Sequence, residues 1–113
     1  HDCGDLVLTK LSDIFVKHMD KTGIPIRWGG EEFLLVFKTD YKTAYGLVES
    51  MVEEIRKTQF EYEGTTFHVT MTMGITEYKK KESIEEIVKR ADDLLYKGKT
   101  GGRNQIVEDA DNF

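Results

Sequence analysis

The chain has 113 residues, 39% of them hydrophobic and 33% charged, a balance that fits a soluble globular fold able to bury its own core. A net charge of −5 argues against generic nucleic-acid binding, which needs a basic face to displace counterions, and no apolar run approaches the length of a membrane span. The single cysteine, Cys3, rules out an internal disulfide framework and suits a reducing compartment.

Residues 5 to 21 read as a helix, with Leu8, Leu11, Phe15 and Met19 on one stripe and Lys10, Ser12 and Lys17 off it. Asp5 stands at its start, where a carboxylate can cap free backbone N–H groups or meet a ligand. Lys21-Thr22-Gly23 closes the helix, with Gly23 the expected C-terminal cap. Two strand-like runs follow, Ile24-Pro25-Ile26-Arg27-Trp28 and Phe33-Leu34-Leu35-Val36-Phe37. Between them lies Gly29-Gly30-Glu31-Glu32. Paired glycines there signal a hairpin, because glycine accepts the positive φ angles of tight turns and lets a ligand approach the backbone. Two adjacent carboxylates are harder to explain as structure. Alternation along a strand sends Glu31 and Glu32 to opposite sides, so one can meet a ligand while the other is anchored elsewhere.

Asp40 opens a second helix over 41 to 58, in which Ala44, Leu47, Val48, Met51, Val52 and Ile55 hold a helical period opposite a charged face. It is a packing helix with no chemistry in it. Residues 61 to 65 read as a short strand and a turn, and Phe67, Val69, Met71, Met73 and Ile75 alternate with polar or small residues as one half-buried strand. Gly74 within it marks a bulge or a close backbone approach. The histidines His1, His18 and His68 lack metal-ligand spacing, which puts His18 on the surface and His68 on a strand's outward face. Lys79 to Glu82 is a solvated charged loop. Ser83 to Glu86 is a capping box opening the last helix, with Ile84, Ile87, Val88, Ala91, Leu94 and Leu95 inward. Lys97 and Lys99 fall in its last turn, Gly101-Gly102 stops it, and 104 to 108 form an edge strand before an unstructured tail at 109–113. Helices packed on a mainly antiparallel sheet make the class α+β.

Four blocks in this order resemble the GGDEF family, the diguanylate cyclase domains, here in a GGEEF form. They are His1-Asp2-Cys3-Gly4-Asp5, similar to the family's GHxxGD; Gly29 to Phe33; Thr72-Met73-Gly74-Ile75, similar to its SxG strand end; and Ala91 to Tyr96 with Lys99 and Gly102-Arg103-Asn104, similar to its ADxALYxAKxxGRN ending. The resemblance implies the palm-like fold of nucleotide cyclases and polymerases, ferredoxin-like in topology, over residues 1–108. The family's opening strand and first helix, with its DxDxFKxxND block, would precede His1. We therefore expect a fragment of a longer protein, or a strand supplied by a partner.

The activity implied is condensation of two GTP into cyclic di-GMP with release of pyrophosphate, dependent on Mg²⁺ or Mn²⁺. By the same resemblance Glu31 is the metal ligand and a catalytic carboxylate, and Glu32 positions metal or hydroxyl or is held by a cation. His1, Asp5, Leu8, Gly29 and Gly30 line the substrate, Asp5 at the guanine base. Lys99 and Arg103 bind phosphates; spacing alone favours a helix-end cation for Lys99, and the Gly102-Arg103-Asn104 that follows favours the phosphate role. A homodimer through the active-site face, transient or partner-driven, an upstream sensor and a cytoplasmic setting are implied too, with no nucleic acid and no membrane contact by this domain. The alternative is a degenerate member that binds GTP or c-di-GMP without catalysis, as a regulatory or dimerisation module. Trp28, Thr72 and Gly98 depart from the family pattern, and an RxxD product-inhibition motif would fall on Asp20 and Gly23, where neither residue matches.

Overall fold

The computed structural model describes residues 2–30 and 32–109. It divides into two compact units, His1–Val69 and Thr70–Phe113, and each is described by itself.

The first unit opens with α1 (Cys3–Met19) and a single 3₁₀ turn, Asp20–Thr22. The helix starts two residues before the expected position because Asp2, not Asp5, is its cap: the Asp2 carboxylate accepts from the backbone N–H of Asp5 at 2.9 Å. Asp5 instead sits in the first turn, where a carboxylate is favoured by the helix dipole. At the other end Gly23 caps the 3₁₀ turn and not α1 itself. Asp20 takes the positive φ of 46° at the helix terminus, while Gly23 is extended and begins β1 (Gly23–Gly29). Its lack of a side chain serves packing, since a Cβ there would stand 2.1 Å from the Val36 carbonyl oxygen.

β1 pairs antiparallel with β2 (Glu32–Phe37), from Gly23 opposite Phe37 to Gly29 opposite Glu32. The register shifts between Arg27 and Gly29, so Trp28 is the extra residue of a bulge at the turn end of the hairpin. α2 (Tyr41–Lys57) is capped as expected by Asp40, whose carboxylate accepts from the Thr43 N–H at 2.7 Å. Its apolar face meets α1, and Leu11, Ile14, Phe15, Met19, Ala44, Val48, Met51, Val52, Ile55 and Phe60 form the core. Burying a side chain of this size is worth about 1.5–3 kcal/mol relative to exposure. His18 is not a free surface residue: its Nε2 lies 2.8 Å from the Glu54 carboxylate, which also meets Lys17 and ties α1 to α2. β3 (Phe60–Tyr62) and β4 (Thr65–Phe67) form a second hairpin, with Glu63 and Gly64 both at positive φ in its two-residue turn.

The second unit contains β5 (Met73–Ile75), α3 (Ile84–Thr100) and β6 (Ile106–Glu108). β5 and β6 are parallel, and α3 is the crossover that a parallel pair requires. Sequence alternation from 67 to 76 suggested one strand, but β4 ends at Phe67 and β5 begins at Met73. Alternation alone does not make a strand; residues 68–72 belong to neither ladder, and a strand needs its backbone paired. Gly74 is a close backbone approach rather than a bulge, because its ladder is regular and a Cβ would stand 2.5 Å from the Ala91 carbonyl oxygen on α3. The Ser83–Glu86 capping box is present. Ile84, expected inward, is 77% exposed, since the first residue of the helix precedes the stretch that packs on β5 and β6.

Candidate active site

Of the residues singled out in the sequence, His1 and Glu31 lie outside the described residues. The others fall in both units: Asp5, Leu8, Gly29, Gly30 and Glu32 in the first, Lys99 and Arg103 in the second.

The hairpin end combines an unusual backbone with open space. Gly30 has a φ of +44°, and a Cβ added at Gly29 or Gly30 would meet nothing within 4 Å. Glycine here is therefore not demanded by neighbouring protein atoms; it leaves backbone accessible to something else. Glu32 follows on the exposed first residue of β2, and among the described residues its side chain has no hydrogen-bonding or ionic partner. The arginine of the facing strand is engaged elsewhere. Arg27 donates from Nε and Nη2 to the Gly30 carbonyl oxygen, at 3.0 and 2.7 Å, and its guanidinium lies 6.0 Å from the Phe33 ring. Phe33 in turn meets the fully buried Phe15 edge to face at 5.0 Å. Asp5 and Leu8 occupy the first turns of α1, Asp5 exposed and Leu8 half-buried.

In the second unit Lys99 is exposed in the last turn of α3, and Arg103 follows in the loop to β6. Among the described residues neither side chain has a partner, so two cations stand free at a helix end. The loop that carries Arg103 is held firmly. Gly102, Arg103 and Asn104 take successive positive φ values of 116°, 60° and 50°, and the last two are not glycine. Such a run persists only when neighbours determine it. Here the Arg103 N–H donates to the Gly98 carbonyl at 2.9 Å, the Asn104 N–H to Thr72 Oγ1 at 2.9 Å, and Gln105 Nε2 to the same Gly98 carbonyl at 3.0 Å. Thr72 is thus the fastener of the Arg103 loop, a role the sequence pattern did not mark.

Among the described residues no group of three or more His, Cys, Asp or Glu converges as a metal site. A hard divalent cation that takes one or two carboxylates and completes its shell from substrate oxygens is compatible with the paired carboxylates of the turn. No helix among the described residues is long and apolar enough to cross a membrane.

Comparison with known proteins identifies the family. Residues 1–105 match the family described as diguanylate cyclase, GGDEF domain. The chain is 35% identical over 108 residues to diguanylate cyclase DgcM of Escherichia coli K12, covering 95% of this chain and 26% of that protein. The crystal structure of the GGDEF domain of DgcB from Caulobacter crescentus in complex with c-di-GMP superposes with a TM-score of 0.88 at 26% identity, over 96% of this chain and 66% of that one. The structure of the active GGEEF domain of a diguanylate cyclase from Vibrio cholerae superposes with a TM-score of 0.79 at 28% identity, over 96% and 69%. The chain spans less than a third of the length of the first curated relatives it matches. With a match that runs from the first residue to the loop beyond α3, the chain belongs to the diguanylate cyclase GGDEF domain family.

Proposed function

We propose that this chain is the cyclase domain of a signalling protein that condenses two GTP into cyclic di-GMP. In that reaction the 3′-hydroxyl of each nucleotide attacks the α-phosphorus of the other, each P–O bond to pyrophosphate breaks, and two pyrophosphates leave. The observation that carries the reading is the hairpin end, where an open, positive-φ glycine turn leads into a carboxylate pair of which Glu32 has no protein partner among the described residues.

Glu31 is the carboxylate assigned to a Mg²⁺ or Mn²⁺ ion, and Glu32 positions metal or hydroxyl. When bound, such an ion lowers the charge barrier at phosphorus and stabilises departing pyrophosphate. Gly29 and Gly30 let nucleotide lie against the main chain, Asp5 accepts from the guanine base, and His1 and Leu8 flank the nucleotide. Lys99 and Arg103 bind phosphate oxygens, for which a lysine point charge and an arginine fork are suited. The domain acts in the cytoplasm as a homodimer, and an upstream sensor controls the pairing. The GGEEF form is shared with the active GGEEF domain of the Vibrio cholerae diguanylate cyclase, which supports catalysis over a purely regulatory role.

The test is the full-length protein with GTP and Mg²⁺, the products identified by mass spectrometry, beside a Glu31→Gln variant. Cyclic di-GMP from the wild type and a loss of about 100-fold or more in the variant are expected, a scale typical of removing one electrostatic catalytic group. Undiminished product from the variant removes the assignment of Glu31, and GTP binding without any product moves the domain to the regulatory alternative.

A further inference from the structure

Arg27 stands two residues before the glycine pair, on a strand whose other exposed side chains are apolar: Ile24, Ile26 and Trp28. Among the described residues its guanidinium meets no carboxylate. Both Nε and Nη2 converge on one acceptor, the Gly30 carbonyl oxygen, three residues ahead. That carbonyl belongs to the peptide joining Gly30 to Glu31, and because a peptide is planar and rigid, holding its oxygen holds that plane. Two features make a fixing device necessary. Gly30 at φ +44° has open space around it, so packing does not hold it. The ladder is also interrupted at the Trp28 bulge, which removes regular backbone pairing just before the turn. Arg27 bridges that interruption, and is itself held 6.0 Å from the ring of Phe33, whose edge contact with Phe15 runs back into the core of α1.

We infer that Arg27 is a positioning residue for the catalytic turn: by clamping the Gly30 carbonyl it transmits the rigidity of the α1 core to the peptide that presents Glu31. This rests on the proposed cyclase function for its catalytic consequence, though not for the clamp. A lysine at 27 keeps the charge and loses the forked donation to one oxygen, so charge and geometry are separable.

The experiment compares Arg27→Lys and Arg27→Ala with wild type in the full-length protein, using two readouts. Hydrogen–deuterium exchange, followed by mass spectrometry, is expected to quicken about tenfold or more in the peptide spanning residues 27–33 and to stay unchanged in peptides from α1 and α2. In steady-state assays with GTP and Mg²⁺, kcat is expected to fall about 10- to 100-fold with KM for GTP nearly constant, Arg27→Lys being impaired almost as much as Arg27→Ala. A lysine variant with wild-type kcat, or a loss carried by KM alone, overturns the inference by making Arg27 a simple charge or a substrate contact. Absence of cyclic di-GMP from the wild type counts against the cyclase reading, and the clamp is then decided by exchange alone. Unchanged exchange in the 27–33 peptide overturns it under either result.

Discussion

Arg90 shows how much a single side chain can organise. Its Nη1 and Nη2 donate to the two oxygens of Glu82 at 2.5 and 2.7 Å, Nη2 also to the Glu77 carbonyl at 2.9 Å, and Nε to Thr76 Oγ1 at 2.7 Å with Asp109 at 3.2 Å. The charged loop 79–82, which reads as merely solvated in the sequence, is thereby fastened to α3, and Asp109, the first residue of the expected tail, is anchored too. The Arg90 hydrogen bonds hold the Glu82 carboxyl at about 2, below its ordinary 4.5, assisted by the Lys79 backbone N–H and opposed by desolvation. A depressed carboxyl stabilises the fold fully above its unfolded value and loses that contribution as pH falls from 4.5 toward 2. Glu82→Gln cannot titrate. Melting temperatures measured across this range should therefore converge for wild type and variant as the pH drops, and a gap that stays constant would mean the carboxylate is not what holds the loop.

At the scale of elements, two departures from the family pattern explain each other. The family's SxG serine is Thr72 and its alanine before the phosphate-binding lysine is Gly98, and a Cβ built on Gly98 would lie 2.6 Å from the Thr72 methyl carbon. The methyl fills the space an alanine would take. Alanine in a helix is favoured over glycine by about 1 kcal/mol, whereas overpacking costs about 1–3 kcal/mol. Gly98→Ala alone should therefore destabilise the protein, and in a Thr72→Ser background, where the hydroxyl that holds Asn104 survives, it should become neutral or stabilising. Urea unfolding of the four members of this cycle is expected to give a coupling of about 1–2 kcal/mol, and additive effects would show that the two positions do not share the space. Such pairs are invisible along the chain because they depend on which helix residue meets which strand residue. What was legible is local: Asp40 and Ser83 with Glu86 mark helix starts because their partners lie three residues away. The 67–76 alternation misled because ladders are made by distant partners, and the α-helix ended before Gly23 because a 3₁₀ turn, which Gly23 caps, intervenes. At the candidate site, the residue types of the glycine turn and its acidic pair were legible, while the Arg27 clamp and the Thr72 fastener became visible only once the hairpin register and the loop after α3 were known.

For the whole molecule, the proposed product constrains the assembly. Cyclic di-GMP has two equivalent phosphodiester links, formed by two reciprocal attacks, and this chain carries one glycine–glutamate turn. On the proposed function a single copy would offer metal-binding chemistry for one α-phosphorus, and the symmetric product would call for two copies facing each other, each presenting one GTP, as in a closed two-fold pair. If both halves must be competent, a protomer lacking Glu31 spoils the partner it pairs with. Mixing wild-type full-length protein with a threefold excess of Glu31→Gln, at concentrations where the dimer is populated, should lower activity per wild-type chain to roughly a quarter under random pairing. Dilution of wild type alone should reduce specific activity, because the fraction paired falls with concentration. Activity per wild-type chain that ignores the inactive excess, together with specific activity that ignores dilution, would mean that one protomer performs both attacks, and the dimeric arrangement would have to be abandoned.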